Sequence, residues 1–405
     1  MATTASISTY SRVLGLPGAL AFSIYGLVAR MPMSMVSLGI VLLVSTRSGS
    51  YSLAGTVSAA FLVANAVFAT HQARSIDRLG QRRVLPVAAA AFSGGLVALM
   101  LLVELDGPAP WPHLAAAVAG AALPQIGSSV RSRWAHLVED KSDLHTAYSF
   151  ESVVDEVVFI VGPALVTVFA TVIHPLAGLI CAVVATLVGT AAFVGQKRTE
   201  PPATGAGRRT ARDPMPWRVL VPLMACAAML GAMLGSAEVA TVAFADQRGA
   251  TAMSGLMLAV WALGSLISGV LTGAVRSEAS NPTRFRWSMV ALTVLVLPLP
   301  FMNGFWALAG CLFVSGFAIS PTLIAGFAWI EEVVPGGRLT EGMTVFTTAL
   351  GIGLAPGAAL AGVAVDASGP SAAYWVVIGA GLVGSAVAVC TARAGRTDAV
   401  GLTPS

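Results

Sequence analysis

The stretch Ala73-Arg74-Ser75-Ile76-Asp77-Arg78-Leu79-Gly80-Gln81-Arg82-Arg83 gathers four arginines and one aspartate. On either side the chain is apolar, over about 52–72 and 84–104. A helix needs about 20 apolar residues to cross a bilayer. The stretch therefore reads as a charged turn at a membrane–water interface, joining two spanning helices.

The rest of the chain repeats this pattern. It has 405 residues, 56% hydrophobic and 10% charged, with a mean hydropathy of +0.81. A soluble protein carries about 25% charged residues, so this composition excludes a soluble two-domain enzyme. Disorder needs low hydrophobicity and high charge and is excluded too. Twelve apolar segments can be placed, at about 14–44, 52–72, 84–104, 112–135, 147–172, 175–196, 218–244, 251–274, 286–302, 305–330, 340–365 and 371–392. The expected fold is an all-α membrane protein of two pseudo-symmetric six-helix bundles. Its N-terminal half is 1–196, its C-terminal half 218–405, and residues 197–217 form a polar linker with Pro201-Pro202, Arg208-Arg209 and Pro214.

Charge placement orients the chain. With the N-terminus in the cytoplasm, 20 of the 23 basic residues fall on the inner side, Arg131 and Arg133 among them. Arg47 and Arg248 fall outside, and Arg30 lies within the first segment. This is the positive-inside bias of a membrane protein with both termini cytoplasmic. The dispersal of the basic residues argues against nucleic acid as a partner. The first apolar stretch is too long for a cleaved signal and is read as a span. Arginine's dominance over lysine, 21 to 2, suggests a bacterial source and hence the cytoplasmic membrane.

The halves echo each other. Pro124 and Pro321, Trp134 and Trp329, and Pro163 and Pro356 are separated by 197, 195 and 193 residues. Such internal repeats are typical of secondary transporters.

The 73–83 stretch resembles the helix 2–3 signature of the major facilitator superfamily, G-x-L-x-D-R-x-G-R-R/K. Asp77, Arg78, Gly80, Arg82 and Arg83 match, while Ala73 and Ser75 replace the first glycine and the leucine. The loop after the eighth segment, 273–286, keeps Gly273 and basic residues but not the aspartate. Gly162-Pro163 in the fifth segment is expected to kink the helix, since proline removes a backbone hydrogen bond, and is similar to the core of the superfamily's antiporter motif. The resemblance implies a secondary transporter whose halves rock around a central site lined by helices 1, 4, 7 and 10. It implies that Asp77 latches the gate to the eleventh helix, and that Gly162-Pro163 belongs to an exporter.

Ionisable residues inside spans are costly and functional by default. The fifth segment holds Glu151, Asp155 and Glu156. Asp155 and Glu156 lie roughly 12–14 Å deep at 1.5 Å per residue, and Glu151 is the shallowest, expected near the interface. Carboxylates so close in low dielectric cannot all ionise cheaply, so one of them is expected to carry a coupled proton. Arg30 is expected to pair with Asp155 or Glu156. Glu238 in the seventh segment is taken as its counterpart in the second half, and both are expected to bind substrate or take part in proton coupling. Gln125, Trp134 and Trp329, with Asn65, are further cavity or gate candidates. Glu331, Glu332 and Glu341 are expected at the interface.

The five histidines are scattered without metal-binding spacing, so neither a metal nor a cofactor is expected. No nucleotide-binding lysine loop or nucleophile elbow occurs, so no enzyme activity is expected. The expected function is proton-coupled export of a small organic molecule by a monomer in contact with lipid. A facilitator or importer of a sugar or organic acid is the alternative, and a non-transporting receptor or scaffold stands behind it.

Overall fold

Runs of Ala, Leu, Val and Gly with few charges satisfy their backbone groups within the segment, and in lipid only helices and closed barrels do so. The computed structural model describes residues 10–48, 51–203, 214–250, 252–274 and 279–400, and among these every long element is helical. We number the helices α1 (Ala19–Ser48), α2 (Tyr51–Leu79), α3 (Gln81–Glu104), α4 (Trp111–Ala122), α5 (Ile126–Leu137), α6 (Lys141–Val168) and α7 (Ala177–Gly195). The second series is α8 (Trp217–Asp246), α9 (Ala252–Ala274), α10 (Asn281–Val296), α11 (Phe305–Gly316), α12 (Ile319–Val333), α13 (Leu339–Ser368) and α14 (Pro370–Val400). Arg208, Arg209 and Arg212 of the expected linker, and Arg276, lie outside the described residues.

Among the described residues, nine helical stretches are long and apolar enough to cross a membrane. Three other expected segments, the second (α2), the fifth and the fourth, are helical but differ in character. The fifth, α6, carries four acids, Asp143, Glu151, Asp155 and Glu156. The fourth is split into α4 and α5 at Leu123-Pro124-Gln125. The tenth is split in the same way, into α11 and α12 at Phe317-Ala318. The repeat is thus visible in its interruptions as well as its prolines. The outer surface is studded with exposed Val63, Val87, Trp306 and Val363, an apolar belt that needs lipid rather than water.

Three cores hold the molecule together. One joins the two series, with Phe22, Trp134 and Tyr148 packed among Phe285, Trp329 and Phe346. The second contains residues of α8–α14 alone, including Phe244, Met289 and Tyr374. The third contains residues of α1–α7 alone, including Met35, Phe61 and Phe92. The 73–83 stretch is not a turn between helices: α2 runs to Leu79 and α3 starts at Gln81, so only Gly80 interrupts them. The shared core lies at the end that carries this stretch, here called the motif end. At the opposite end each half has a core of its own.

Close helix contact inside the second half depends on glycine. A Cβ on Gly231 would run into the carbonyl oxygen of Leu350, so α8 and α13 meet backbone to backbone. Gly231→Ala is expected to lower stability by about 1–3 kcal/mol. A thermal melt of the purified protein reads this, and an unchanged midpoint would refute the contact.

Candidate functional site

Arg30 on α1 is buried, its side chain 1% exposed. Its Nη2 donates to Glu151 Oε2 at 2.5 Å, its Nη1 to Asp155 Oδ1 at 2.8 Å, and its Nε to the carbonyl of Gly26 at 3.2 Å. The two acids are four residues apart on α6 and so share a face. From α5, Arg131 Nη2 donates to Asp155 Oδ2 at 2.5 Å, and Trp134 Nε1 donates to Glu151 Oε1 at 2.8 Å. Ser23 Oγ also donates to Glu151 Oε1. Two guanidiniums and two carboxylates therefore form one neutral network. Desolvating each ion costs several kcal/mol, which only such complete pairing offsets. Asp155 is its accessible member, at 24% against 2% or less for the other three.

Several expectations change here. Glu151 is not interfacial but wholly buried, because Arg30, Ser23 and Trp134 converge on it. Arg30 pairs with Asp155 and Glu151, and not with Glu156. Glu156 is about 100° round the helix from Asp155 and points across to the other half. There Ser265 Oγ on α9 donates to its Oε1 at 2.6 Å, and Ser265 Oγ lies 2.9 Å from Ser320 Oγ on α12. Arg131 and Arg133 are not loop cations: both are buried in α5. Arg133 is held by Gln81, the Gln196 carbonyl and Thr199.

Glu238 is not Arg30's counterpart. Gly162 packs on Ser34 and Gly357 packs on Ala232, and this register sets Arg30 level with Ala228. Glu238 is exposed and forms no ion pair among the described residues. It lies 18 residues, five full turns, beyond Leu220, which the shared core buries. The same stripe of α8 is thus covered at the motif end and open where the halves separate.

Gln125 stands at the break between α4 and α5. Its N–H donates to Gln72 Oε1 at 2.8 Å, and its side chain donates to Leu123 O and to Asn65 Oδ1. Trp134 and Trp329 are buried in the shared core. Gly162 serves close packing against Ser34 of α1, and Pro163 lies within the continuous α6.

At the motif end Asp77 reaches into the other half. Its Oδ2 accepts from Glu341 N at 2.9 Å and its Oδ1 from Thr340 N at 3.3 Å. These N–H groups open α13, whose N-cap residue, Arg338, gives no side-chain cap. An acid at that position satisfies orphan donors and complements the helix dipole. Glu341, expected at the interface, is buried and pairs with Arg74 at 2.6 Å and with Arg338. Thr344 donates to Ser128, and Arg131 stacks 3.8 Å over Phe327. On the other flank Thr146 donates to the Gly273 carbonyl, and Arg284 donates to His145. Gly80 adopts φ +90°, a turn that favours glycine. Arg78, Arg82 and Arg83 are exposed, and the Arg82 N–H is capped by Glu200. Burial pushes the Asp77 carboxyl up to about 7 against the pull of its N–H donors. Burial, reinforced by Arg284, holds His145 down at about 3.

The family model described as Major Facilitator Superfamily matches residues 19–305, well over half of the sequence. The chain belongs to the major facilitator superfamily. No curated protein matches it by sequence. Solved structures of the superfamily fold do. A bacterial homologue of the iron transporter ferroportin, in its outward-facing state, matches with TM-score 0.75 at 14% identity, covering 93% of this chain and 99% of that one. The proton:xylose symporter XylE matches with TM-score 0.66 at 13% identity, covering 95% of each chain. The human organic anion transporter MFSD10 matches with TM-score 0.62 at 13% identity, covering 91% and 97%. This superfamily member thus has the expected all-helical transporter fold and is a multi-pass membrane protein.

Proposed function

We propose that the protein is a proton-coupled antiporter that exports a small organic molecule across the bacterial cytoplasmic membrane. The carrying observation is the position of Glu156, a carboxylate that reaches across the seam between halves to the Ser265 hydroxyl and, among the described residues, pairs with no cation. Asp155 stands between two guanidiniums that offset its charge. Glu156 has no such partner, and its charge is removed by taking up a proton. The division into halves at 197–217, with both termini and the motif end cytoplasmic, belongs to the same proposal. In that orientation the shared core closes the inner side and the separate cores leave the outer side open. Asp77 and the α13 N-terminus would latch this state, and Asp155 and Glu238 would face the outer cavity. Protonating a group that bridges the halves shifts the balance of states only because its affinity for protons differs between them.

The test starts from ligands found by thermal-shift screening of the purified protein. Proteoliposomes are then loaded with a hit and a pH-sensitive dye. Wild type is expected to move protons against substrate, and Glu156→Gln to lose proton movement while keeping substrate exchange. Transport indifferent to the pH gradient would refute coupling. It would favour a facilitator.

A further inference from the structure

We infer that Glu156, Ser152, Ser265 and Ser320 form a sodium site on the seam between the halves. The inference rests on the reading of Glu156 as the residue that exchanges a proton. Four observations carry it. First, Glu156 has no cationic partner among the described residues: Arg30 and Arg131 are engaged with Asp155 and Glu151, and the charged group beside it is Asp155 itself. Second, the Ser265 hydroxyl of α9 donates to its carboxylate at 2.6 Å, and the Ser320 hydroxyl of α12 stands behind it, 2.9 Å from Ser265 Oγ. A proton needs no ring of hydroxyl oxygens. A hard cation does, since it is held by oxygen ligands.

Third, Ser152 lies one turn before Glu156 on α6, is 3% exposed, and its Oγ has no hydrogen-bond partner. Helical side chains lean toward the N-terminus, so the Glu156 carboxylate lies over the turn that carries Ser152. Fourth, the tenth segment breaks beside this point. Gly316, the last residue of α11, packs so tightly on α9 that a Cβ there would lie 3.0 Å from the Ser265 nitrogen. The C-terminal end of α11, which carries a partial negative charge, thus lies beside Ser265. Sodium binding would replace the proton on Glu156, one cation for another. Ser265 and Ser320 would turn lone pairs toward the ion.

The test uses the full-length protein in detergent and a weakly buffered solution with a pH dye. Sodium chloride is expected to release on the order of one proton per molecule near neutral pH. Potassium and choline chloride are expected to release none. Glu156→Gln should abolish the release, and Ser265→Ala and Ser320→Ala should each raise the half-saturating sodium concentration by roughly tenfold. The infrared carbonyl band of a protonated carboxyl, assigned by its loss in Glu156→Gln, reports separately whether Glu156 titrates. A titrating Glu156 with no sodium-driven release overturns the sodium site and leaves the proton reading standing. Release that persists in Glu156→Gln, or that potassium matches, also overturns it. Absence of both titration and release defeats both readings.

Discussion

Replacing Arg30 by methionine is expected to destabilise the protein by about 3–5 kcal/mol, the cost of stranding a buried charge. The variant leaves Glu151, 0% exposed, with only Ser23 and Trp134 as donors. Arg30→Lys is expected to rescue little. One ammonium cannot reproduce the two-pronged contact by which Arg30 joins Glu151 to Asp155. The decisive variant is the double one, Arg30→Met with Glu151→Gln. The amide keeps an oxygen for Trp134 and removes the stranded charge, while Asp155 retains Arg131. Most of the lost stability should return, giving a large favourable coupling in the double-mutant cycle. The cycle is read from thermal midpoints in detergent and from the yield of monodisperse protein. If the double variant is as unstable as the two single losses added together, the network is not the unit described here. Transport is expected to fail in all of these variants, so stability alone separates them.

How far was this network legible in the sequence? The helical class and the acids of the fifth segment followed from composition and spacing, because lipid forces apolar runs into helices and makes each buried charge conspicuous; the 73–83 stretch was read as a turn, but its helices continue to Leu79 and from Gln81. Arg30 was found for the same reason. Arg131 was missed, although it lies inside the fourth apolar segment. The break at Leu123-Pro124-Gln125 turns the end of that segment polar, and the charge count then assigned it to a loop. Pro124 and the serines after it were the available signal. Which acid meets Arg30 was not legible either. Glu151, Asp155 and Glu156 lie within a turn and a half, and only the rotation of α6 against α1 decides between them. The misplacement of Glu238 has a related origin. Offsets between repeated prolines fix the repeat to a few residues, and on a helix a few residues are a whole turn. Ser265 and Ser320 carry no charge, so nothing in the sequence marked them among the other serines of the chain.

The motif end should respond to pH through two groups of opposite sign, and the wild type should therefore conceal both. His145 is held at about 3 when the gate is closed, by burial and then by Arg284, and returns to about 6.5 when opening exposes it. The closed state binds this proton less well, so falling pH below about 6.5 favours opening. Asp77 behaves in reverse. Burial raises it to about 7 in the closed gate, against an ordinary value of 3.8, so the closed state binds its proton better and acid favours closure. Between about pH 4 and 6.5 the two shifts oppose each other, and wild-type gate closure should change by less than about tenfold. Each single variant should uncover the other group. His145→Gln should close further on acidification and Asp77→Asn should open, by roughly tenfold or more between pH 7.5 and 5. Spin labels on the exposed Glu139 and Gly336, one in each half, would report the separation as a distance distribution. The slope with pH is the quantity to compare, because removing Asp77 also takes the cap from α13 and shifts the starting population. A common slope in wild type and both variants would remove His145 and Asp77 from control of the gate.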